Sequence, residues 1–124
     1  MLSIPQNSPY PERLAAGLAA LRRRIGAAAE SAGRNVEDIT LLAVSKGHPA
    51  EAVAAARTLG LIDFGENYVD EALEKIGTLG PVREDTPPLR WHFIGRLQAN
   101  KTRPIAAHFD WVHGIDRLKI AERL

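Results

Sequence analysis

The sequence predicts an α/β fold on a parallel sheet, with one helix ahead of four strand–helix units. Three observations carry this. Apolar residues at helical spacing open the chain, short apolar runs then alternate with amphipathic stretches, and each run stops at a polar or glycine-containing cluster. Strand–helix alternation dictates parallel strands, because a crossover helix returns the chain to the starting edge with a right-handed turn.

The opening helix is expected over 11–33, where Leu14, Leu18, Leu21 and Ile25 form one stripe and Arg22, Arg23 and Arg24 lie mostly off it. Pro11 suits a first turn, where its missing N–H costs nothing, and Gly33 suits the stop. Residues 35–38 read as a short capped turn. The first unit is a strand over 39–45 and a helix over 49–59, ended by Gly60. The second is 61–65 and 68–79, with Val69, Leu73 and Ile76 on one helical face. The third is 89–95 and 101–108; the fourth is 111–115 and 117–124, with Asp116 as the expected N-cap. Between units two and three, GPVREDTPP (80–88) reads as a loop and not a domain linker, because the alternation continues through it.

Two architectures fit four such units. One is a complete, small doubly wound sheet of the flavodoxin type. The other is the first half of a (βα)8 barrel, which takes about 250 residues. The barrel is favoured. The last helix runs to the final residue without a stop signal, and polar clusters follow the strands, the end at which parallel α/β folds bind ligands. Four units would leave two open sheet edges.

Composition narrows the function. The 124 residues suffice for a single domain, and 45% hydrophobic with 25% charged residues suits a soluble globular chain. A net charge of +1 supplies no bulk field toward nucleic acid or membrane. The absence of cysteine excludes disulfides and thiolate metal sites and fits a reducing compartment. The start, MLSIPQNSPYPE, lacks a basic segment followed by an apolar one, so no signal peptide is expected. No apolar run nears the roughly 20 residues of a membrane helix, and the expected location is the cytoplasm. Neither G-x-x-x-x-G-K-[ST] nor G-x-G-x-x-G nor H-E-x-x-H occurs, and His48, His92, His108 and His113 share no ligand spacing, so no metal is expected.

The candidates for chemistry stand just past the strands. Lys46 closes the first apolar run in LLAVSKGHP (41–49). A lysine at such a rim is expected to be partly desolvated, which favours the neutral amine that attacks carbonyls; the other reading is a solvated loop lysine. In FGENYVDE (64–71), Glu66 and Asn67 read as the start of a helix, as caps or as contacts to a ligand or a neighbouring cation. In WHFIGRLQANKTRP (91–104), His92 faces away from Trp91 and Phe93 by alternation, as a packing histidine or a site residue. Arg96, Gln98, Asn100 and Lys101 then supply donors for an anion, a partner or solvent.

Taken together, AVSKGHP, FGENYVDE, WHFIGRLQANKTRP and HFDWVHGIDRLKIAERL resemble the pyridoxal phosphate homeostasis proteins, single-domain relatives of the alanine racemase N-terminal barrel. The resemblance runs in order from Leu14 to Leu124. It implies an alanine racemase-like (βα)8 TIM barrel preceded by a helix, with pyridoxal 5′-phosphate (PLP) as cofactor. It implies that Lys46 holds PLP as a Schiff base, that Asn67 lies near the cofactor and that His92 lines the same rim. The implied role is intracellular buffering or delivery of PLP, with PLP-requiring apo-enzymes as recipients, no established turnover, and no nucleic-acid or membrane partner. Two alternatives stay open: a racemase-like enzyme using Lys46 as base, and a complete flavodoxin-like binding module. A racemase needs a second base facing the lysine, and Tyr10 and Tyr68 are poorly placed for it. The sequence departs from the family at Gly47 and His48, where threonine and a second lysine are usual, and at Arg96, where proline is usual. The family runs to roughly twice this length, as such a barrel requires. Its phosphate-binding segments lie in the other half, so the chain is expected to be truncated and to bind PLP weakly or not at all.

Overall fold

The computed structural model describes residues 4–81 and 83–124; residues 1–3, in the stretch read above for a signal peptide, and Val82, in the proline-rich loop, lie outside the described residues. Helix α1 spans Tyr10–Ser31. Gly33, at φ 65°, turns the chain so that Arg34 N–H reaches back to the Ala29 carbonyl at 2.9 Å, and this ends the helix. Leu14 and Leu18 use the expected stripe, whereas Leu21 is exposed. A 3-10 turn follows at Val36–Asp38, with the Asn35 side chain accepting from Glu37 N–H at 3.0 Å, as the capped-turn reading requires.

The alternation then appears as expected: β1 (Ala43–Val44), α2 (Ala50–Thr58), β2 (Asp63–Glu66), α3 (Val69–Leu79), β3 (Arg90–Phe93), α4 (Thr102–His108), β4 (Trp111–Val112) and α5 (Leu118–Arg123). A 3-10 turn at Ala99–Lys101 leads into α4. The outer strands are shorter than the apolar runs, because β1 and β4 each pair with one neighbour, and a ladder exists only where strands overlap. Helix α5 begins after Arg117, so Asp116 is not its N-cap; it lies 3.6 Å from the Arg117 guanidinium instead.

The four strands are parallel in the order β1-β2-β3-β4. A flavodoxin-like sheet places its first strand between the second and third, so this order overturns that alternative. The helices pack on one face. There Leu14 and Leu18 of α1, Val53 and Ala56 of α2, and Leu79 of α3 enclose Phe64 and Trp91, whose ring centroids are 5.8 Å apart. A second cluster joins Val69 of α3 and Phe93 of β3 to Leu97, Ile105 of α4 and Ile120 of α5. The opposite face, with Leu42, Asp63, Arg90, His92, Trp111 and His113, lines a cavity of about 340 Å³ and carries no helix among the described residues. No helix among them is long and apolar enough to cross a membrane.

Candidate functional site

Strand register sorts the residues of the bare face into rows. Val44, Gly65, His92 and Trp111 pair across the sheet and form one row. The ladder continues beyond the strands: Ser45 N–H donates to Gly65 O, Ile94 N–H to Glu66 O and His113 N–H to Phe93 O, at 3.0, 2.9 and 3.0 Å. Two residues on, past the carboxyl ends of the strands, Lys46, Asn67, Ile94 and His113 form the next row by position along the chain, with Lys46 in a turn and Asn67 in a bend, where strand alternation no longer sets the side-chain direction. Two of the three expected site residues, Lys46 and Asn67, therefore share a row, and His92 stands one row deeper.

Lys46 is exposed, which corrects the expectation of a partly desolvated amine: β1 is an edge strand and no described residue covers its outer side. The backbone beneath it is held firmly. Lys75 Nζ donates to the Ser45 carbonyl at 2.7 Å, and Gly47 N–H donates to Glu71 Oε1 at 2.6 Å. Lys75 also pairs with both oxygens of Glu66, at 3.0 and 2.9 Å, and with Glu71 at 2.9 Å, while Ser45 Oγ–H donates to Glu66 Oε2. Glu66 was expected to open a helix. It is instead the last residue of β2, fully buried, with its carboxyl group turned toward Lys75 and Ser45. Burial without partners would be costly for either charge, and each has several. The Lys75 ammonium and then the Gly47 amide hold the Glu71 carboxyl below its ordinary value.

On the bare face Asp63 takes a bidentate contact from Arg90, with Nε and a terminal nitrogen both at 2.8 Å. This contact, assisted by His92 and opposed by burial, lowers the Asp63 pKa. As a carboxylate Asp63 only accepts, so the 2.8 Å contact makes His92 Nε2 the donor. In a neutral ring Nδ1 then accepts, and His113 Nε2–H donates to it at 2.9 Å. Trp111 stacks over His92 with centroids 6.1 Å apart and planes within 7°. Both ring nitrogens of His92 are thus engaged, while His48 and His113, past the ends of β1 and β4, are exposed.

Asn67 is half-buried, and its Oδ1 is buried with no hydrogen-bond partner among the described residues. Gly95 lies directly against it: a Cβ at that position would stand 2.5 Å from the Asn67 carbonyl oxygen. The glycine of FIG therefore exists to bring the loop after β3 onto Asn67. That loop opens a cleft of about 420 Å³ lined by Asn67, Tyr68, Asp70, Arg96, Gln98 and Lys101. Lys101 meets Asp70 at 3.4 Å there, which takes up part of the positive charge expected of this loop. Sequence reasoning did not name Asp63, Arg90 or Lys75. Only the Glu71–Lys75 spacing of four on a helix was a visible signal.

Fold and rim together define a parallel α/β protein with strands in sequential order and with an exposed lysine, a half-buried asparagine and an exposed histidine following the carboxyl ends of its strands. No family model matches the chain. It is a homologue of the pyridoxal phosphate homeostasis proteins, 55% identical over 111 residues to that of Pseudomonas aeruginosa and 53% identical over 111 residues to that of Escherichia coli. These alignments take in 90% of this chain in both cases. The chain spans about half the length of the curated relatives it matches, 46% and 47%. Among solved structures it is similar to PipY of Synechococcus elongatus with PLP bound, at 48% identity and a TM-score of 0.61 over 68% of this chain and 39% of that one. A protein of unknown function from Bifidobacterium adolescentis superposes over 98% of this chain and 51% of its own, with a TM-score of 0.80 and 25% identity.

Proposed function

We propose that residues 1–124 form the first, amino-terminal half of an alanine racemase-like (βα)8 barrel, and that Lys46, Asn67 and His92 hold PLP there for intracellular PLP homeostasis. The observation that carries this is the row at the strand ends, where an exposed lysine and an orphan amide acceptor follow neighbouring strands, β1 and β2, in a chain similar to a protein with PLP bound. Sequential strand order, helices on one face and superposition on half of a longer structure support the barrel.

The residues present fit the group. The aldehyde of PLP supplies an electrophile, and retention is by a reversible Schiff base with Lys46 Nζ. Asn67 Oδ1 accepts a hydrogen bond from a ligand hydroxyl, which relieves its burial without a partner. His92, fixed by Asp63, lines the floor and orients His113 at the rim. Gly65 keeps the floor open between Leu42 and Ile94, since a side chain there would meet Ile94 at 3.2 Å. Recipients of delivered PLP would be PLP-requiring apo-enzymes.

Borohydride reduction of the chain with PLP, followed by intact mass and peptide mapping, tests the proposal. One adduct on the peptide containing Lys46 is expected, absent from Lys46→Ala. Equal labelling of all lysines, or an unchanged adduct in Lys46→Ala, refutes it. The racemase-like alternative needs a second base facing Lys46, and neither Tyr10 nor Tyr68 lies in the row. A carrier is expected to show no alanine α-proton exchange above that of free PLP.

A further inference from the structure

The peptide groups on both sides of the Lys46 Cα are gripped from one helix. The carbonyl before it accepts from Lys75 Nζ at 2.7 Å, and the N–H after it donates to Glu71 Oε1 at 2.6 Å. Both side chains belong to α3, four residues apart, and they contact each other at 2.9 Å. Glu66, fully buried at the end of β2, anchors the same ammonium and receives the Ser45 hydroxyl. Gly47 has φ 76°, in the left-handed region that glycine adopts without strain, and its N–H meets Glu71. Besides this grip, the loop is held to β2 through Ser45 N–H and Gly65 O and closed on itself by His48 N–H donating to Ser45 O at 3.0 Å, before α2 begins at Ala50. Packing of a helix against a sheet needs no buried ammonium, because apolar residues serve as well there or better. This ammonium is aimed at a loop backbone.

We propose that Glu66, Glu71 and Lys75 are positioning residues that fix the direction in which the Lys46 side chain leaves the sheet, and thereby make it the preferred lysine of the chain for an aldehyde ligand. The inference rests on the reading of Lys46 as the cofactor lysine. The three residues act through the backbone and touch no ligand themselves. Asn67 stands in the bend between Glu66 of β2 and the start of α3 at Val69, so the orphan acceptor lies beside the same anchoring residues in the chain. An aldehyde held by a lysine whose Cα cannot pivot meets a defined environment, whereas a lysine on a free loop samples solvent.

The experiment uses the 124-residue chain, its Glu71→Ala variant and the conservative Glu71→Gln, whose amide oxygen still accepts from Gly47 N–H. Glu71 is partly exposed, and the Glu66–Lys75 pair stays intact in both variants. Two quantities are read. Amide hydrogen exchange at Gly47, by NMR, reports whether the loop is held. Reductive trapping with PLP and borohydride, with peptide mapping over Lys46, Lys75, Lys101 and Lys119, reports the preference among lysines and captures even weakly held ligand. In Glu71→Ala, Gly47 exchange is expected to rise about tenfold or more as its hydrogen bond to a charged group is lost. The preference for Lys46 should fall with it, and Glu71→Gln should recover both in part. Exchange at Gly47 as fast in the native chain as in Glu71→Ala overturns the clamp. Lost protection with an unchanged preference for Lys46 overturns its link to reactivity. A protected Gly47 with no preference for Lys46 in the native chain overturns the cofactor-lysine reading itself.

Discussion

At the scale of single residues, the sharpest contrast is between two lysines. Lys75 is buried and carries the charge partner of Glu66, so Lys75→Met leaves a buried carboxyl group without its cation and is expected to cost about 3–5 kcal/mol. Lys46 is exposed, and Lys46→Ala should change stability by less than about 0.5 kcal/mol while abolishing the PLP adduct. Urea unfolding of the two variants checks the pair. Asp63 gives the pH dependence its sign. Its folded pKa lies below the ordinary 3.8, so unfolding takes up a proton, and its contribution is in full above 3.8 and disappears as pH falls through the folded value. Glu71 behaves likewise below 4.5. Asp63→Asn is expected to lose about 1–3 kcal/mol at neutral pH, with the difference from the native chain shrinking below about pH 3.8. A gap that is constant across an acid titration of stability would show that Asp63 does not act through its charge.

At the scale of elements, glycines decide how loops meet strands. Gly95→Ala drives a methyl group into the Asn67 backbone at 2.5 Å, and backbone cannot swing aside as a side chain can. A loss of about 1–3 kcal/mol is expected, with displacement of Asn67 readable as a weaker PLP adduct. Gly47→Ala has open space but a left-handed φ of 76°, so its cost is conformational, about 1–2 kcal/mol. Apolar spacing announced the alternating helices and strands because burial against a sheet requires it. It put Glu66 at a helix start where the residue ends β2, but the other reading of Glu66, as a contact to a neighbouring cation, is met by Lys75; which cation it would be is visible only once the lysine nine residues on packs back over the strand.

At the scale of the sheet as a whole, one face is covered by helices and the other carries none among the described residues. Val44 and Trp111 on that face are 48% and 59% exposed, next to edge strands with unpaired backbone groups. Exposed apolar side chains beside open strand edges favour association. Sedimentation velocity at rising concentration is expected to reveal species heavier than the 13.5 kDa chain, and Val44→Lys should reduce them. A single 13.5 kDa species at all concentrations would count against this.

The sequence by itself determined the helix ahead of four strand–helix units, the parallel sheet, and Lys46, Asn67 and His92 as the residues worth testing. It could do so because periodicity reports burial and because the motifs keep their order and spacing along the chain. The tertiary structure decided the strand order, which separates one winding direction from two. It decided that the Lys46 amine is exposed while the backbone beneath it is clamped, and that His92 is held at both nitrogens. Those outcomes depend on contacts between residues 9 to 30 positions apart, such as Lys75 with Glu66 and with Ser45, and no local pattern encodes them.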